Sequence, residues 1–242
     1  MNSPFSLFKW EAVFKDFSVF FEGFITTLEV SILGLTLALV LGIIFGVLST
    51  SKIKIFKVIS RIYVEIIQNT PLVIQIFFLF NGLPYIKIVL PVFLIGVLGV
   101  GVYHGAYIAE VVRTGITSIP KGQFEAAKSQ GFSHTKTMRY IILPQTVKII
   151  IPPLANQLVN LIKNTSVLAM IAGGDLMYRA DSWSSSNMYY GPAYVITGVL
   201  YFILCYPLAV LSRKLELKEK RKISINIEDS IKTQTVAAEG GL

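Results

Sequence analysis

From Val30 to Leu48 the chain reads VSILGLTLALVLGIIFGVL, nineteen residues without a charge. At about 1.5 Å of rise per residue, a helix of that length crosses a hydrocarbon layer of roughly 30 Å. Such a run leaves little choice of architecture, because lipid offers no partner to backbone N–H and C=O groups and a helix satisfies them internally. Composition extends the argument to the whole chain, since 53% hydrophobic residues against 15% charged ones is too apolar for a water-facing surface. The sequence therefore predicts an all-α integral membrane protein. The single Cys205 forms no intrachain disulfide, and two histidines without a second cysteine make no four-ligand zinc site. We expect no metal and no cofactor, and read the net charge of +8 as basic loops on one side of a membrane, not as a nucleic-acid surface.

Five spans are expected, near 24–49, 62–86, 88–112, 149–173 and 192–212. An amphipathic segment at 1–18, with Lys9, Trp10, Glu11, Lys15 and Asp16, precedes them and does not read as a cleaved signal peptide. The second span is interrupted by Glu65, Gln68, Asn69, Thr70 and Pro71. Polar residues at that depth must face protein or water, and the carbonyls freed by Pro71 either line a path or belong to a kink that serves packing. Gly96, Gly99, Gly101 and Gly105 on the third span permit close helix contact. With Lys232 of the far tail set aside, sixteen basic residues lie in the regions after spans one, three and five, against four on the opposite side. This asymmetry predicts an extracytoplasmic N-terminus and a cytoplasmic C-terminus, with 19–216 as the transmembrane domain and 217–242 as a tail of little order.

Two polar stripes stand out. Gln157, Asn160 and Asn164 fall on one face of the fourth span, with Lys163 beside them. A lysine at mid-membrane costs about 2.5 to 3.5 kcal/mol, which an anionic partner or a polar cavity offsets unless the side chain snorkels. Tyr103, Tyr107, Glu110 and Thr114 form the second stripe, on span three. Its tyrosines suit packing as well as binding, Glu110 and Arg113 suit a local ion pair, and His104 reads as a hydrogen-bonded interior residue.

Between spans three and four, residues 119–145 form the longest loop on the basic side. Glu125, Ala126 and Ala127 begin a short helix, Gly131 breaks it, and after nine residues come Ile141, Leu143 and Pro144. This spacing, EAA, three residues, G, nine residues, I, one residue, LP, resembles the signature of the permease subunits of bacterial ABC importers. The stretches YIAEVVRTGITSIPKGQFEAAKSQG and QNTPLVIQIFFLFNGLP are similar to the polar amino acid branch of that family, glutamine- and glutamate-like members included, and the likeness runs from about Phe17 to Glu216.

The resemblance implies the type I importer permease fold and a coupling loop that docks on a cytoplasmic ATPase through Glu125, Ala126, Ala127, Gly131, Ile141, Leu143 and Pro144. It implies as partners that ATPase, a second identical or related permease, an external solute-binding protein and the lipids of a bacterial inner membrane. It also places substrate contacts near LIKNTSV. With the polar stripes added, the expected set is Lys163, Asn164, Asn160, Gln157, Thr165, Gln68 and Tyr103. Family members often carry aspartate at the position of Asn164. The amide found here, next to Lys163, suits glutamate, glutamine or aspartate better than a cationic amino acid, which with cystine is the alternative substrate class. The chain has no GxxxxGK(S/T) phosphate loop, so ATP hydrolysis belongs to a partner and the chain itself is not expected to be an enzyme. An intramembrane enzyme lacks its motifs here, and an ion-driven transporter would show more spans or a repeat.

Overall fold

The structure, a computed structural model, describes residues 3–239, with side chains as far as residue 218. Every regular element described is helical. The elements are α1 (Leu7–Lys15), α2 (Phe17–Ser49), α3 (Lys54–Gln68), α4 (Leu72–Phe77), α5 (Val92–Thr117), α6 (Lys121–Ser129), α7 (His134–Thr137), α8 (Leu143–Asn164), α9 (Leu176–Asn187) and α10 (Tyr190–Glu239). A wide turn and a tight turn carry α4 on to Ile86, and a 3₁₀ stretch carries α8 on to Ile171.

Among the described residues, three helices are long and apolar enough to cross a membrane: α2, α5 and the part of α10 from Tyr190 to Lys218. The second expected span is two helices, α3 and the α4 segment, bent by 99° at their junction, and counts as a fourth if the pair is one span. α8 falls short on composition because of its polar stripe, although its 22 residues have the length. The backbone of α10 continues to Glu239, through the segment that sequence pattern marked as lacking order.

The α2–α5 pair is the centre of the bundle. Gly34, Ala38, Gly42 and Gly46 recur every four residues along α2 and are buried, so they form one seam of small side chains. Branched side chains of α5 fill the space: a Cβ on Gly34 would stand 2.7 Å from Val100, one on Gly46 2.6 Å from Val112, and one on Gly42 would overlap Ile108. The opposite face of α2, with Ile32, Leu33, Val40, Ile43 and Ile44, is exposed and suits lipid. The glycines of α5 work in the other direction, Gly96 receiving Leu168, Gly99 Ile76 and Gly101 Leu37.

The polar run before Pro71 caps the bend. The Asn69 amide donates to the Glu65 carbonyl at 2.7 Å, the Thr70 hydroxyl to Ile66 at 2.7 Å, and Gln75 Nε2 to both Ile67 and Thr70 at 3.0 Å. The carbonyls left open at the end of α3 are thereby satisfied by side chains where water is scarce. A second apolar cluster, of Val13, Phe20, Leu176, Ala180 and Trp183, ties α1 and α9 to the start of α2 at the end of the bundle remote from α6. Trp183 Nε1 donates to Asp16 at 2.8 Å there, and the first N–H groups of α9 are capped by Thr27 Oγ1 and Asp175 Oδ2, each at 3.0 Å.

Candidate functional site

Helical periodicity turns Gln157, Asn160 and Asn164 toward the face of α5 that carries Tyr103, His104 and Tyr107, and a cavity of about 350 Å³ remains between them, bordered also by Lys163. Five of the residues expected to meet substrate, Tyr103, Gln157, Asn160, Lys163 and Asn164, are thus brought together. Tyr103 and Tyr107 share a hydrogen bond between hydroxyls at 3.1 Å, and their rings wall one side. His104, 2% exposed, sits edge-on to Tyr103 and bridges the two helices. Its Nδ1 is 3.2 Å from Gln157 Oε1 and its Nε2 3.0 Å from Asn164 Nδ2.

Lys163 borders this cavity and two grooves on the α10 side, where Tyr201 lies. Among the described residues no carboxylate forms an ion pair with it. The lysine thus offers a positive charge without a fixed partner beside neutral amides, an arrangement that attracts a carboxylate in a medium less polar than water.

Two expected residues lie elsewhere. Thr165 is fully buried with its hydroxyl donating to the Ile162 carbonyl at 2.7 Å, a local bond that turns it away from the cavity. Gln68 donates to the Ala106 carbonyl at 3.2 Å and borders a different space of about 470 Å³, alongside Lys57, Arg61, Glu65, Glu110 and Arg113. His104 and Tyr107 join the cavity, although neither is among the residues that the sequence assigns to substrate. The His104 bridge joins residues 53 and 60 positions apart, so no local pattern announces it.

Further along the same α5–α8 contact, Glu110 and Thr114 border another opening of about 220 Å³ with Ile149, Ile150 and Pro153. The tyrosine stripe of α5 therefore lines two successive openings. Glu110 and Arg113 form the expected local pair, Arg113 Nε donating to Glu110 at 2.8 Å.

Past that opening stands the 119–145 loop, folded as a knob of two short helices. Gly131 has φ of 78°, a left-handed conformation that glycine adopts without strain, and the turn is closed by its N–H on Lys128 and that of Phe132 on Ala127, both at 3.0 Å. Ala127 is buried, while Phe124, Met138 and Ile141 pack against the cluster holding Ile119 and Ile142. Glu125 and Ala126 face outward, and Leu143 and Pro144 open α8.

A family described as "binding-protein-dependent transport system inner membrane component" matches residues 38–220. The chain belongs to that family. It is 41% identical over 208 residues to a probable glutamine ABC transporter permease, GlnM, of Bacillus subtilis (strain 168), covering 84% of this chain and 96% of the relative. It is 33% identical over 201 residues to a second such protein of that organism, GlnP, covering 82% and 92%. A crystal structure of an amino acid ABC transporter with histidines superposes with a TM-score of 0.79 at 33% identity, covering 88% of this chain and 98% of that one. A MetNI methionine ABC transporter in an inward-facing form, 17% identical with a TM-score of 0.60, shares the fold. These relatives are amino acid transport permeases, not enzymes, and this binding-protein-dependent permease has the same importer fold.

Proposed function

We propose that this permease forms the translocation path of an ATP-driven importer for a polar amino acid, the substrate class being glutamine, glutamate or aspartate. The observation that carries the proposal is the convergence of Tyr103, Gln157, Asn160, Lys163 and Asn164 on one cavity between α5 and α8. A zwitterion needs an anion partner, a cation partner and polar contacts for its side chain. Lys163 supplies the first, the faces of Tyr103 and Tyr107 the second, and the amides the third. Glutamine appears in the names of several relatives, which agrees with that set.

In this reading the outward face of the knob, with Glu125 and Ala126, docks on a cytoplasmic ATPase, and α8, which begins at the knob and ends at Asn164, passes the ATPase's motion to the cavity. A second permease completes the path, and an external binding protein delivers substrate at the α1–α9 end. In the same reading, the basic residues around the knob favour the cytoplasm of a bacterial cell for that end and the outside for the N-terminus.

The test is a plug. Asn160 is exposed to the cavity, so Asn160→Trp fills it without entering the core. In proteoliposomes holding the complete importer, ATP-driven uptake of labelled glutamine and glutamate should fall at least about tenfold while the ATPase stays bound. Unchanged uptake in the plugged variant would remove this cavity from the path.

A further inference from the structure

The substrate class of the proposed cavity can be narrowed, on the premise that this cavity is the transport site. Gln157 and Asn164 both border the cavity, and both spend one end of their amide on the same imidazole. Nε2 of His104 faces the Asn164 NH₂ group, which only donates, so Nε2 carries no proton. The ring is therefore neutral with its proton on Nδ1, which donates to Gln157 Oε1. The ends left over are the Gln157 NH₂, two donors, and the Asn164 carbonyl, an acceptor.

A neutral imidazole has one donor and one acceptor, so its two amide partners must turn opposite ends toward it. Moving the ring proton to Nε2 reverses both amides together and leaves the Gln157 carbonyl and the Asn164 NH₂ facing the cavity. In either tautomer the cavity receives one donor and one acceptor. A primary carboxamide has that complement, its carbonyl taking the donor and its NH₂ the acceptor. A carboxylate has no proton to give and sets an oxygen against the bare carbonyl.

We infer that His104 is a positioning residue that holds Gln157 and Asn164 in opposite orientations, so that the cavity selects a carboxamide side chain over the corresponding carboxylate. Lys163, next to Asn164, remains for the α-carboxylate that both amino acids share, and so does not decide between them. Discrimination comes from the unpaired carbonyl, an effect of about tenfold for one buried group left without its partner.

The relay also has a direction. In Asn164→Asp the carboxylate only accepts, so Nε2 must donate. With the ring kept neutral, as its burial favours, Nδ1 then becomes the acceptor, and Gln157 turns its NH₂ to the ring and its oxygen to the cavity. Two acceptors then face the substrate, an arrangement for a cationic side chain.

The experiment uses the permease–ATPase complex with the full chain in proteoliposomes, without a binding protein whose own preference would intervene. Binding of labelled glutamine is displaced by glutamine, glutamate and arginine, and the ratios of dissociation constants are read within each preparation. The parent should favour glutamine over glutamate by about tenfold. His104→Leu frees both amides to rotate and should bring that ratio to within about twofold of unity, while His104→Gln, which again offers one acceptor and one donor, should keep it. Asn164→Asp, isosteric and so compatible with the surrounding packing, should lose glutamine and gain arginine. A parent that binds both acids alike, or a His104→Leu variant with the parent's ratio, overturns the inference. If His104→Leu does not assemble, Asn164→Asp decides alone, and an unchanged order of glutamine over arginine overturns it. Absence of amino acid binding by the parent complex would instead fail the cavity as the transport site.

Discussion

α5 meets α2 on one face and α8 on the other, and the two contacts are built in opposite ways. Toward α2 it sends Val100, Ile108 and Val112 into the spaces over Gly34, Gly42 and Gly46, a dry contact without room for a further methyl group. Toward α8 it sends Tyr103, His104 and Tyr107 against Gln157, Asn160 and Asn164, and openings remain. Lipid is as apolar as leucine, so helices in it are held by close packing and interhelical hydrogen bonds. The α2 face uses packing and fixes two helices together. The α8 face uses a few hydrogen bonds around empty space, which suits a contact that admits a ligand.

The largest expected effect breaks the first contact. A Cβ at Gly42 overlaps Ile108, and the valine in Gly42→Val would force α5 away from α2. Overpacking of this kind costs about 1 to 3 kcal/mol, occasionally more, a loss that lowers the amount of folded protein recovered several-fold. The yield of monodisperse permease in detergent should collapse for Gly42→Val, whereas Asn160→Trp on the open face should leave it near the parent's. Equal yields would show that the two faces are not built differently.

Next in size is Gly131→Pro, which touches neither face. Proline holds φ near −65° where the turn needs 78°, and it removes the N–H that bonds Lys128. The bundle should stay folded, with the parent's thermal transition, while ATP-driven uptake is lost and the ATPase dissociates on purification. Gly131→Ala, which meets nothing within 4 Å and bears only the cost of its positive φ, should give an intermediate result. Full uptake in the proline variant would separate the knob from coupling.

How much of this contrast can be read from the sequence depends on how far apart the participants lie. The knob turn at Gly131, the close contacts at Gly96, Gly99 and Gly101 and the stripes on α5 and α8 are patterns within a single helix or loop, and the structure has them where spacing put them, whereas the α2 seam of Gly34, Gly42 and Gly46 emerges only with its α5 partners in place. The 99° bend was legible only as an interruption: Pro71 marked its place, but Gln75, which caps it from the far side of the break, has no local signature. Gln68 and Thr165 carry the right chemistry for a site yet are spent on backbone carbonyls of Ala106 and Ile162, the acceptors that helix packing brings nearest to them. His104 shows the converse. As one imidazole on an apolar helix it reads as interior, and its two amide partners come from a helix whose register against α5 is set by packing, not by composition.

A smaller effect sharpens the open face. Lys163→Met keeps most of the stem that lies along the cavity and removes the charge. Every amino acid loses an anion partner, so uptake of glutamine and glutamate should both fall, by about tenfold for a charge-assisted contact. Because both amino acids lose the same α-carboxylate partner, the two should fall by similar factors. Thermal stability should not drop, since a lysine without an ion-pair partner contributes little to folding. Uptake of both substrates at the parent's rate would mean that Lys163 snorkels away.

The smallest expected effect belongs to Glu110 and Arg113, where the open face of α5 reaches the knob. Their side chains are 42% and 43% exposed, respectively, so solvent screens the pair and the carboxylate is held one helical turn from its cation whatever the bundle does. A half-exposed pair of this kind contributes about 0 to 1 kcal/mol, which in a chain of this size moves a thermal transition by only about 2–4 °C. Glu110→Gln should therefore fold, assemble and transport nearly as the parent does. Its use lies in position, because Glu110 borders both the opening of about 220 Å³ below the cavity of Tyr103 and Asn164 and the space of about 470 Å³ that Gln68 borders. If substrate leaves through the first, removing a negative charge from its rim should ease the exit of glutamate slightly more than that of glutamine, visible as a rise of no more than about twofold in the ratio of their uptake rates. A large loss of stability in Glu110→Gln would instead make this stretch of α5 a structural contact like the glycine seam, and the division between its closed and open faces would have to end above Glu110.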